Sequence, residues 1–436
     1  MSASTHKQKI DLNNWWATCL QSLQKGRSIS REDARRGWNA LWEEWEKIDI
    51  DMLRSNYLPE KVKLALAFRK VAPLTLMLAP TFLMGLTAKG LSVDELTGLV
   101  DSFHDHGWFS EYQETELPDQ DTVYSNGFGG DGVKTINVST AAMIIAAAAG
   151  APCYKMGSRT YFSHSGSHNF LELVGVQASE TPQHALKTLR EVGVAYIDGV
   201  ATCTGPTKNI GTGLSLMPNA KELMKTMTYP FRFPILCLNP MNPRLSIRGV
   251  STLETEVPAK VIRQLFPYTE RLDVVAGLTP EERVIDEVSN VGPTKVTEYR
   301  DGQLRTFMTN PEDWGVRQAR TKDIRCTDPW LAAVKCMEVF AGVCHDANKD
   351  LLLINAGHFL YVAGKANTRL EATEKARAAV DDGLALEKLR RWVAASSGEL
   401  GVFEMILAAA KDKRSDSIKQ TLTLNKYKTA GAHAPQ

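Results

Sequence analysis

The sequence predicts an α/β fold class, with a small all-helical N-terminal domain and a larger α/β domain built on a mostly parallel central sheet. Helical periodicity runs through the first hundred residues, an acidic connector follows at 116–121, and strand and helix patterns alternate beyond it. These changes predict a helical domain at 10–118, an α/β domain at 119–410 and a flexible tail at 411–436.

The first helices account for the N-terminal domain. Residues 10–48 have helical spacing, and Ser30 with Asp33 can cap a helix. Three tryptophans fall on one face of it, namely Trp38, Trp42 and Trp45. Packing is the favoured interpretation of this stripe, because glutamates rather than lysines and arginines interleave with the rings, unlike a base-stacking surface.

The segment Val71 to Ala88 is uncharged for eighteen residues, which is the threshold length of a membrane span. Two prolines and a glycine interrupt it, so a buried core or dimer helix is the favoured interpretation. A capping box at Ser92 and Glu95 then begins a helix that reaches His104.

A glycine-rich turn is the central feature of the α/β part. Thr122 to Tyr124 predicts a strand, residues 127–140 (GFGGDGVKTINVST) form the turn, and Ala141 to Ala149 predicts a helix that ends at Gly150. Glycine allows backbone N–H groups to approach a phosphate, and the helix N-terminus adds unpaired donors. The spacing matches neither G-x-G-x-x-G nor a P-loop, and a purely structural turn is the alternative.

A second polar loop follows the next predicted strand, Ala151 to Tyr154. It contains KMGSR at 155–159 and SHSGS at 163–167, which are rich in cations and hydroxyls. Since the carboxyl ends of parallel strands share one sheet edge, the two loops together suit a sugar that bears several phosphates. Solvated loop charges are the alternative for Lys155 and Arg159.

Asp286 and Glu287 follow a short apolar run, where paired carboxylates can hold magnesium together with phosphate oxygens. Without the two loops predicted to bind phosphate, at 127–140 and 155–167, an Asp-Glu pair of this kind would be interpreted as ordinary surface charge. Downstream, PTKVTEYRDG at 293–302 predicts a strand that enters a hairpin turn. Two helices are predicted near the C-terminus, one from Asp350 to Ala363 and one from Thr368 to Ala395.

Composition narrows the function classes. The chain has 436 residues, is 43% hydrophobic and has a formal net charge of +1, so nothing in its overall charge favours nucleic acid or a membrane surface. The seven cysteines are scattered and never spaced as C-x-x-C, which argues against disulfides and zinc. The N-terminus has no secretory apolar segment. We therefore expect a cytoplasmic protein that binds neither nucleic acid nor membrane.

Together these blocks resemble anthranilate phosphoribosyltransferase and the wider phosphoribosyltransferase and pyrimidine nucleoside phosphorylase group. The family pattern GTGGDG…N-x-ST is matched by residues 127–140, KHGNR by 155–159, SGS by 165–167, and the acidic pair by Asp286-Glu287. Nucleoside phosphorylases of the group typically lack that pair and carry a further C-terminal domain, so the resemblance favours the transferase branch.

The resemblance implies a cleft between the two domains and a homodimer formed through the helical domain, with residues 205–228 packing on that domain. It implies transfer of the phosphoribosyl group from 5-phosphoribosyl 1-diphosphate (PRPP) to an aromatic acceptor. The implied PRPP-binding residues are Gly127, Gly129, Gly130, Asp131, Thr135, Asn137, Ser139, Thr140, Lys155, Arg159, Ser163 and Ser167. The implied catalytic residues are Lys155, Asp131 and Arg159. The implied ligands of two Mg²⁺ ions are Ser139, Asp286 and Glu287.

The chain departs from the family pattern on the acceptor side. The departing positions are Phe128, Met156, Ser158 and Lys221, whereas the arginine that contacts the acceptor in the family is best matched by Arg232; we interpret all five as acceptor-binding. An altered aromatic acceptor, with or without a carboxylate, is the leading hypothesis. The alternatives are anthranilate itself as in tryptophan biosynthesis, a nucleoside phosphorylase, and a nucleic-acid-binding homologue without transfer activity.

Overall fold

The structure is a computed structural model. It describes residues 12–49, 51–52, 57, 59–108, 115–117, 119, 121–129, 132–157, 166–179, 181–199, 229–412, 414, 421 and 425. The chain divides into two compact units. One contains the residues up to Trp108 and a segment that ends at Pro234, and the other contains the remainder.

The first unit is helical wherever it is described. Its N-terminal helices are α1 Leu12–Gln24, α2 Arg31–Trp45, α3 Glu60–Ala67, α4 Pro73–Lys89 and α5 Val93–Asp105. Both predicted N-caps are confirmed, because Ser30 accepts the Asp33 N–H and Ser92 forms a complete capping box with Glu95. Trp38 and Trp42 are fully buried and stacked with centroids 5.4 Å apart, which confirms the packing interpretation.

Helix α4 contains most of the uncharged segment. No helix in the described part of the chain is long and apolar enough to cross a membrane. One face of α4 is buried at Phe82 and Leu86. The opposite face leaves Leu74, Met77 and Met84 at least half exposed, at helical spacing.

The second unit contains a mixed sheet. Its strands are β1 Val123–Gly127, β2 Cys153–Gly157, β3 Val194–Asp198, β4 Leu245–Gly249, β5 Arg271–Leu278, β6 Val284–Ile285, β7 Thr294–Arg300 and β8 Gln303–Thr309. The order is β3-β2-β1-β4-β5-β7-β8, with β6 paired to β5. The neighbouring strands β3, β2, β1, β4 and β5 are parallel, whereas the pairs β5–β7 and β7–β8 are antiparallel. The chain reverses its direction of progress across the sheet between β1 and β4, which is where open α/β sheets bind ligands.

Helices of the second unit pack on both faces of this sheet. The helices that follow β1 in the chain are α6 Val138–Ala148, α7 Ser167–Leu173, α8 Pro182–Val192, α9 Tyr229–Leu236, α10 Glu256–Leu265, α11 Thr321–Ile324, α12 Pro329–Phe340, α13 Ala347–Val362, α14 Arg369–Asp381, α15 Leu384–Ala395 and α16 Leu400–Lys411. A short 3₁₀ helix lies at Pro311–Trp314. Helices α6 and α13 pack in the large core on one face, while α8 packs on Tyr124 and Tyr154 on the other.

Some predicted elements differ in detail. Helix α6 begins three residues earlier than predicted, at Val138, and ends as predicted before Gly150, whose φ is +95°. The single helix predicted from Thr368 to Ala395 is wrong, because the chain breaks at Gly383, which has a left-handed φ of +76°. The Asp301-Gly302 hairpin turn between β7 and β8 is confirmed.

Candidate functional site

The glycine-rich turn lies at the carboxyl end of β1, where Gly127 is in register with Gly249 of β4. The Phe128 N–H donates to the Gly249 carbonyl at 2.9 Å, which fixes the start of the turn. Gly129 then has φ +63°, a left-handed conformation that favours glycine. This conformation directs the Gly129 N–H to Oδ2 of Asp286 at 2.7 Å, so the turn contacts the acidic pair directly.

The turn leads into the N-terminus of α6. Asn137 is the N-cap residue, and Ser139 lies in the first helical turn. The Lys155 ammonium, buried on neighbouring β2, donates to Ser139 Oγ at 2.7 Å. Ser139 is also hydrogen-bonded to the Glu287 carboxyl, so a lysine, a serine and a glutamate form one connected polar group.

The acidic pair is held tightly in place. A Cβ atom at Gly127 would lie 2.5 Å from Asp286 Oδ2, and one at Gly249 would lie 2.7 Å from the Asp286 carbonyl carbon. Only glycine leaves room for Asp286 at these two positions. Val288, the residue after the acidic pair, is fixed by Asn355 of α13. The Asn355 side chain accepts the Val288 N–H at 3.0 Å and donates to the Val288 carbonyl at 2.9 Å.

Glu287 has the features of a cation ligand. Its Oε2 is buried and has no hydrogen-bond partner among the described residues. Burial and the neighbouring charge of Asp286 raise the pKa of Glu287 well above its ordinary value, and Lys155 and the Ser139 hydrogen bond oppose this rise. A bound cation would satisfy the free oxygen and relieve the repulsion.

The donor set fits magnesium. Carboxylate and hydroxyl oxygens from Ser139, Asp286 and Glu287 are hard ligands, and Mg²⁺ usually completes its coordination with water and substrate phosphate oxygens. Within the described ranges, no group of three or more His, Cys, Asp or Glu side chains is arranged to hold a metal ion. A cation here would therefore take further ligands from a phosphate-bearing substrate.

The other predicted site residues divide into two groups. Those that lie outside the described residues are Gly130, Asp131, Ser158, Arg159, Ser163 and Lys221, together with the segment 205–228. The Arg232 side chain also lies outside them. Of the rest, Thr140 is buried in α6, Thr135 bonds the Ile136 carbonyl, and Ser167 begins α7 beside Gly157. Phe128 and Met156 are both buried.

Sequence reasoning missed several polar residues here. A small pocket is lined by the acidic pair and Ser139, and also by Asn126, Asn355 and His358. Asn355 and His358 interrupt an otherwise apolar helix, and that interruption was the available signal. His358 Nε2 lies 2.8 Å from Asp273 Oδ2, and both side chains are buried.

A family model and curated relatives each match more than half of the chain. Residues 119–386 match the family model described as glycosyl transferase family, a/b domain. The chain is 32% identical to anthranilate phosphoribosyltransferase of Rhodopseudomonas palustris (strain BisB5) over 72% of this chain and 87% of that protein. It is 32% identical to the Agrobacterium fabrum protein of the same name over 87% of this chain and 96% of that protein.

Among solved structures, the chain is similar to anthranilate phosphoribosyltransferase from Saccharomyces cerevisiae in complex with PRPP and Mg. The TM-score is 0.64 and the identity 18%, over 88% of this chain and 98% of that chain. This likeness supports the fold, which is a helical N-terminal region with a larger α/β part around a central sheet.

Proposed function

Because this chain belongs to the anthranilate phosphoribosyltransferase family, we propose that it transfers the 5-phosphoribosyl group from PRPP to an aromatic acceptor and releases pyrophosphate. One observation supports the proposal: the Glu287 carboxyl, whose Oε2 has no hydrogen-bond partner within the described part of the chain, is linked to Ser139 and Lys155 at the helix N-terminus that follows the glycine turn. This arrangement is suited to a metal-bound sugar diphosphate.

The residues of the chain would act mainly by holding charge in place. Backbone N–H groups at the start of α6 and the Lys155 ammonium give the site positive potential for phosphate oxygens. Donors that are already oriented stabilise the negative charge that develops on the departing diphosphate without reorganising. We assign Arg159 to the same task from its position in the second loop, whereas Asp131 in the glycine turn would accept hydrogen bonds from the sugar hydroxyls of PRPP.

Ser139, Asp286 and Glu287 would hold two Mg²⁺ ions with the diphosphate of PRPP. When bound, Mg²⁺ supplies charge neutralisation that makes pyrophosphate a better leaving group. Holding donor and acceptor together contributes proximity, which can lower the barrier by about 7–11 kcal/mol. An aromatic amine is already neutral at pH 7, so an acceptor of this type needs no strong base.

On the acceptor side we propose an aromatic compound other than, or in addition to, anthranilate. Phe128 and Met156 would form part of the pocket wall, with Ser158, Lys221 and Arg232 as further contacts. If anthranilate is turned over as efficiently as in a tryptophan-pathway enzyme and no other aromatic compound is turned over, the altered acceptor is refuted and the transferase proposal stands.

We also propose a homodimer formed through the helical unit. The exposed apolar face of α4, defined by Leu74, Met77 and Met84, is the surface that a second copy would cover.

Calorimetry with PRPP, with and without Mg²⁺, tests the proposal. We expect Mg²⁺-dependent binding that Glu287→Gln weakens at least tenfold, because the substitution removes a charged ligand oxygen. Glu282→Gln, an exposed residue nearby, is the matched control and should bind as the native protein does.

Pyrophosphate release in a screen of aromatic amines and acids then identifies the acceptor. Phosphate-dependent nucleoside cleavage without Mg²⁺ would instead identify a phosphorylase. Failure to bind PRPP at millimolar Mg²⁺ would exclude the proposed reaction.

A further inference from the structure

His358 of α13 and Asp273 of β5 form a buried pair to which the proposed reaction assigns no role. His358 Nε2 lies 2.8 Å from Asp273 Oδ2, and each side chain is only 3% exposed. An ionised carboxylate can only accept a hydrogen bond, so Nε2 carries the proton and Nδ1 of the neutral ring is an acceptor. Asp273 therefore fixes which nitrogen of His358 can accept a hydrogen bond.

The imidazole is held in place beside the acidic pair. Its ring packs edge-on against Trp314, with the two centroids 5.6 Å apart. The side chain lines the same small pocket as Ser139, Asp286 and Glu287. Because Asp273 occupies Nε2, Nδ1 is the ring nitrogen that remains for a ligand in this pocket.

The helix that carries His358 already contacts the acidic segment. Asn355 lies three residues earlier on α13, lines the same pocket and holds Val288 through two hydrogen bonds. Residues three apart on a helix are neighbours on its surface. Two polar side chains of an otherwise apolar helix are thus directed at one pocket.

The pocket suits a bound water molecule. Carboxyl, hydroxyl, amide and imidazole groups line it, and Glu287 Oε2 has no hydrogen-bond partner within the described residues. A buried water typically makes about three hydrogen bonds to groups of this kind. Mg²⁺ usually keeps several water ligands, and groups that hydrogen-bond the ligands of a metal orient them.

We propose that His358, oriented by Asp273, is a positioning residue of the magnesium site. Its Nδ1 accepts a hydrogen bond from a water that completes the coordination of the cation at Glu287. Contact through water fits the geometry, since no three His, Cys, Asp or Glu side chains in the described ranges are arranged to hold a metal ion directly. This inference rests on the proposed function and adds the buried pair to its metal site.

Two amide variants separate the two ring nitrogens. In His358→Gln the amide nitrogen can replace Nε2 and keep the hydrogen bond to Asp273, but nothing replaces Nδ1. In His358→Asn the amide oxygen can replace Nδ1 as an acceptor, whereas the hydrogen bond to Asp273 is lost. His345→Gln is the matched control, because His345 is exposed between α12 and α13.

The probe is Mn²⁺, which accepts the same oxygen ligands as Mg²⁺. Its binding is measured by electron paramagnetic resonance, both without and with saturating PRPP. We expect His358→Gln to bind Mn²⁺ about 10- to 100-fold more weakly than the native protein, because the acceptor for the bound water is lost. His358→Asn should retain most of the affinity, and His345→Gln should bind as the native protein does.

Native Mn²⁺ affinity in His358→Gln would overturn the proposal. Equal losses in the two amide variants would overturn it as well, because the imidazole ring rather than Nδ1 would then be responsible. Thermal unfolding accompanies each measurement, and failure of His358→Gln to fold would assign His358 to core packing and reject the proposed role.

Calorimetry with PRPP at millimolar Mg²⁺, on the same preparations, separates this proposal from the proposed function. The expected difference between the amide variants, together with absent PRPP binding by the native protein, would support the role of His358 and reject the transferase proposal. Normal PRPP binding with unchanged Mn²⁺ affinity in His358→Gln would reject the role of His358 alone. A native protein that binds no Mn²⁺, with or without PRPP, would overturn both.

Discussion

Gly249→Ala should reduce catalysis strongly while the protein still folds, because Gly249 makes room for the main chain of Asp286. An added Cβ would lie 2.7 Å from the Asp286 carbonyl carbon and 2.9 Å from its Cβ, with the carbonyl oxygen closer still. Asp286 must then retreat by about 1 Å, and a displacement of that size can reduce a rate about 100-fold. The acidic pair cannot yield freely, since Gly129 and Asn355 hold it on both sides.

The assay is steady-state release of pyrophosphate as a function of PRPP and Mg²⁺. We expect kcat/KM to fall about 100-fold and the Mg²⁺ requirement to rise, with a loss of about 1–3 kcal/mol in the free energy of unfolding. Gly401→Ala is the control, because a Cβ at Gly401 of α16 meets nothing within 4 Å. A folded Gly249→Ala enzyme within twofold of the native kcat/KM, at the native Mg²⁺ requirement, would refute the assigned role of Asp286.

Three further predictions concern charge, a hydrogen-bond pair and assembly. The pKa of Glu287 is raised in the folded protein without Mg²⁺, whereas in the unfolded chain this carboxyl loses its proton above about pH 4.5. The folded state therefore binds the proton more tightly, and the contribution of Glu287 to the free energy of unfolding declines as pH rises. In urea unfolding from pH 5 to 8, the free energy of unfolding of the native protein should fall relative to that of Glu287→Gln, by up to roughly 1.4 kcal/mol per pH unit. If the two proteins show the same pH dependence, the raised pKa of Glu287 is contradicted. Asn355→Leu leaves the Val288 N–H and carbonyl unpaired, so we expect about 2–4 kcal/mol lower stability in urea and a higher Mg²⁺ requirement; native values for both would argue against this positioning role. Met77→Lys places a charge on the exposed face of α4. If the native protein is a dimer, as we propose, light scattering should show that this variant is a monomer; a dimeric variant would exclude this face.

The order of phosphate-site elements was predictable from the sequence, because the chemistry restricts the residue types. A phosphate site of this kind consists of a strand, a glycine-rich turn and a helix in that order. This order predicted helix α6 and its end before Gly150, and the structure has both. Two successive strands with polar loops implied one shared edge, and β1 and β2 are parallel neighbours. The break at Gly383 was missed because alanine-rich and leucine-rich helical segments lie on both sides of it, although Asp381, Asp382 and Gly383 are themselves poor helix formers.

The environment of a side chain was less predictable than its element. Arg248 in LSIRGV is an example, because β4 lies between two parallel strands and is buried on both faces, so that even its arginine is inside. Asn355 could be recognised as unusual in an apolar helix, but its partner Val288 is 67 residues away. Such contacts depend on the tertiary arrangement, which local periodicity does not encode.

Asp286 and Glu287 are adjacent and chemically alike, yet the structure gives their oxygens different surroundings. Asp286 Oδ2 accepts the Gly129 N–H, and Asp286 packs where glycines leave room, so this carboxylate couples the acidic segment to the phosphate turn. Glu287 keeps Oε2 without a partner among the described residues and is linked through Ser139 to Lys155. A cation at Glu287 would remove the charge repulsion that raises its pKa, and it would do so without disturbing the bond that holds the turn. We therefore propose that Asp286 shapes the site before substrate arrives, and that Glu287 would be fully satisfied only with a metal-bound diphosphate present.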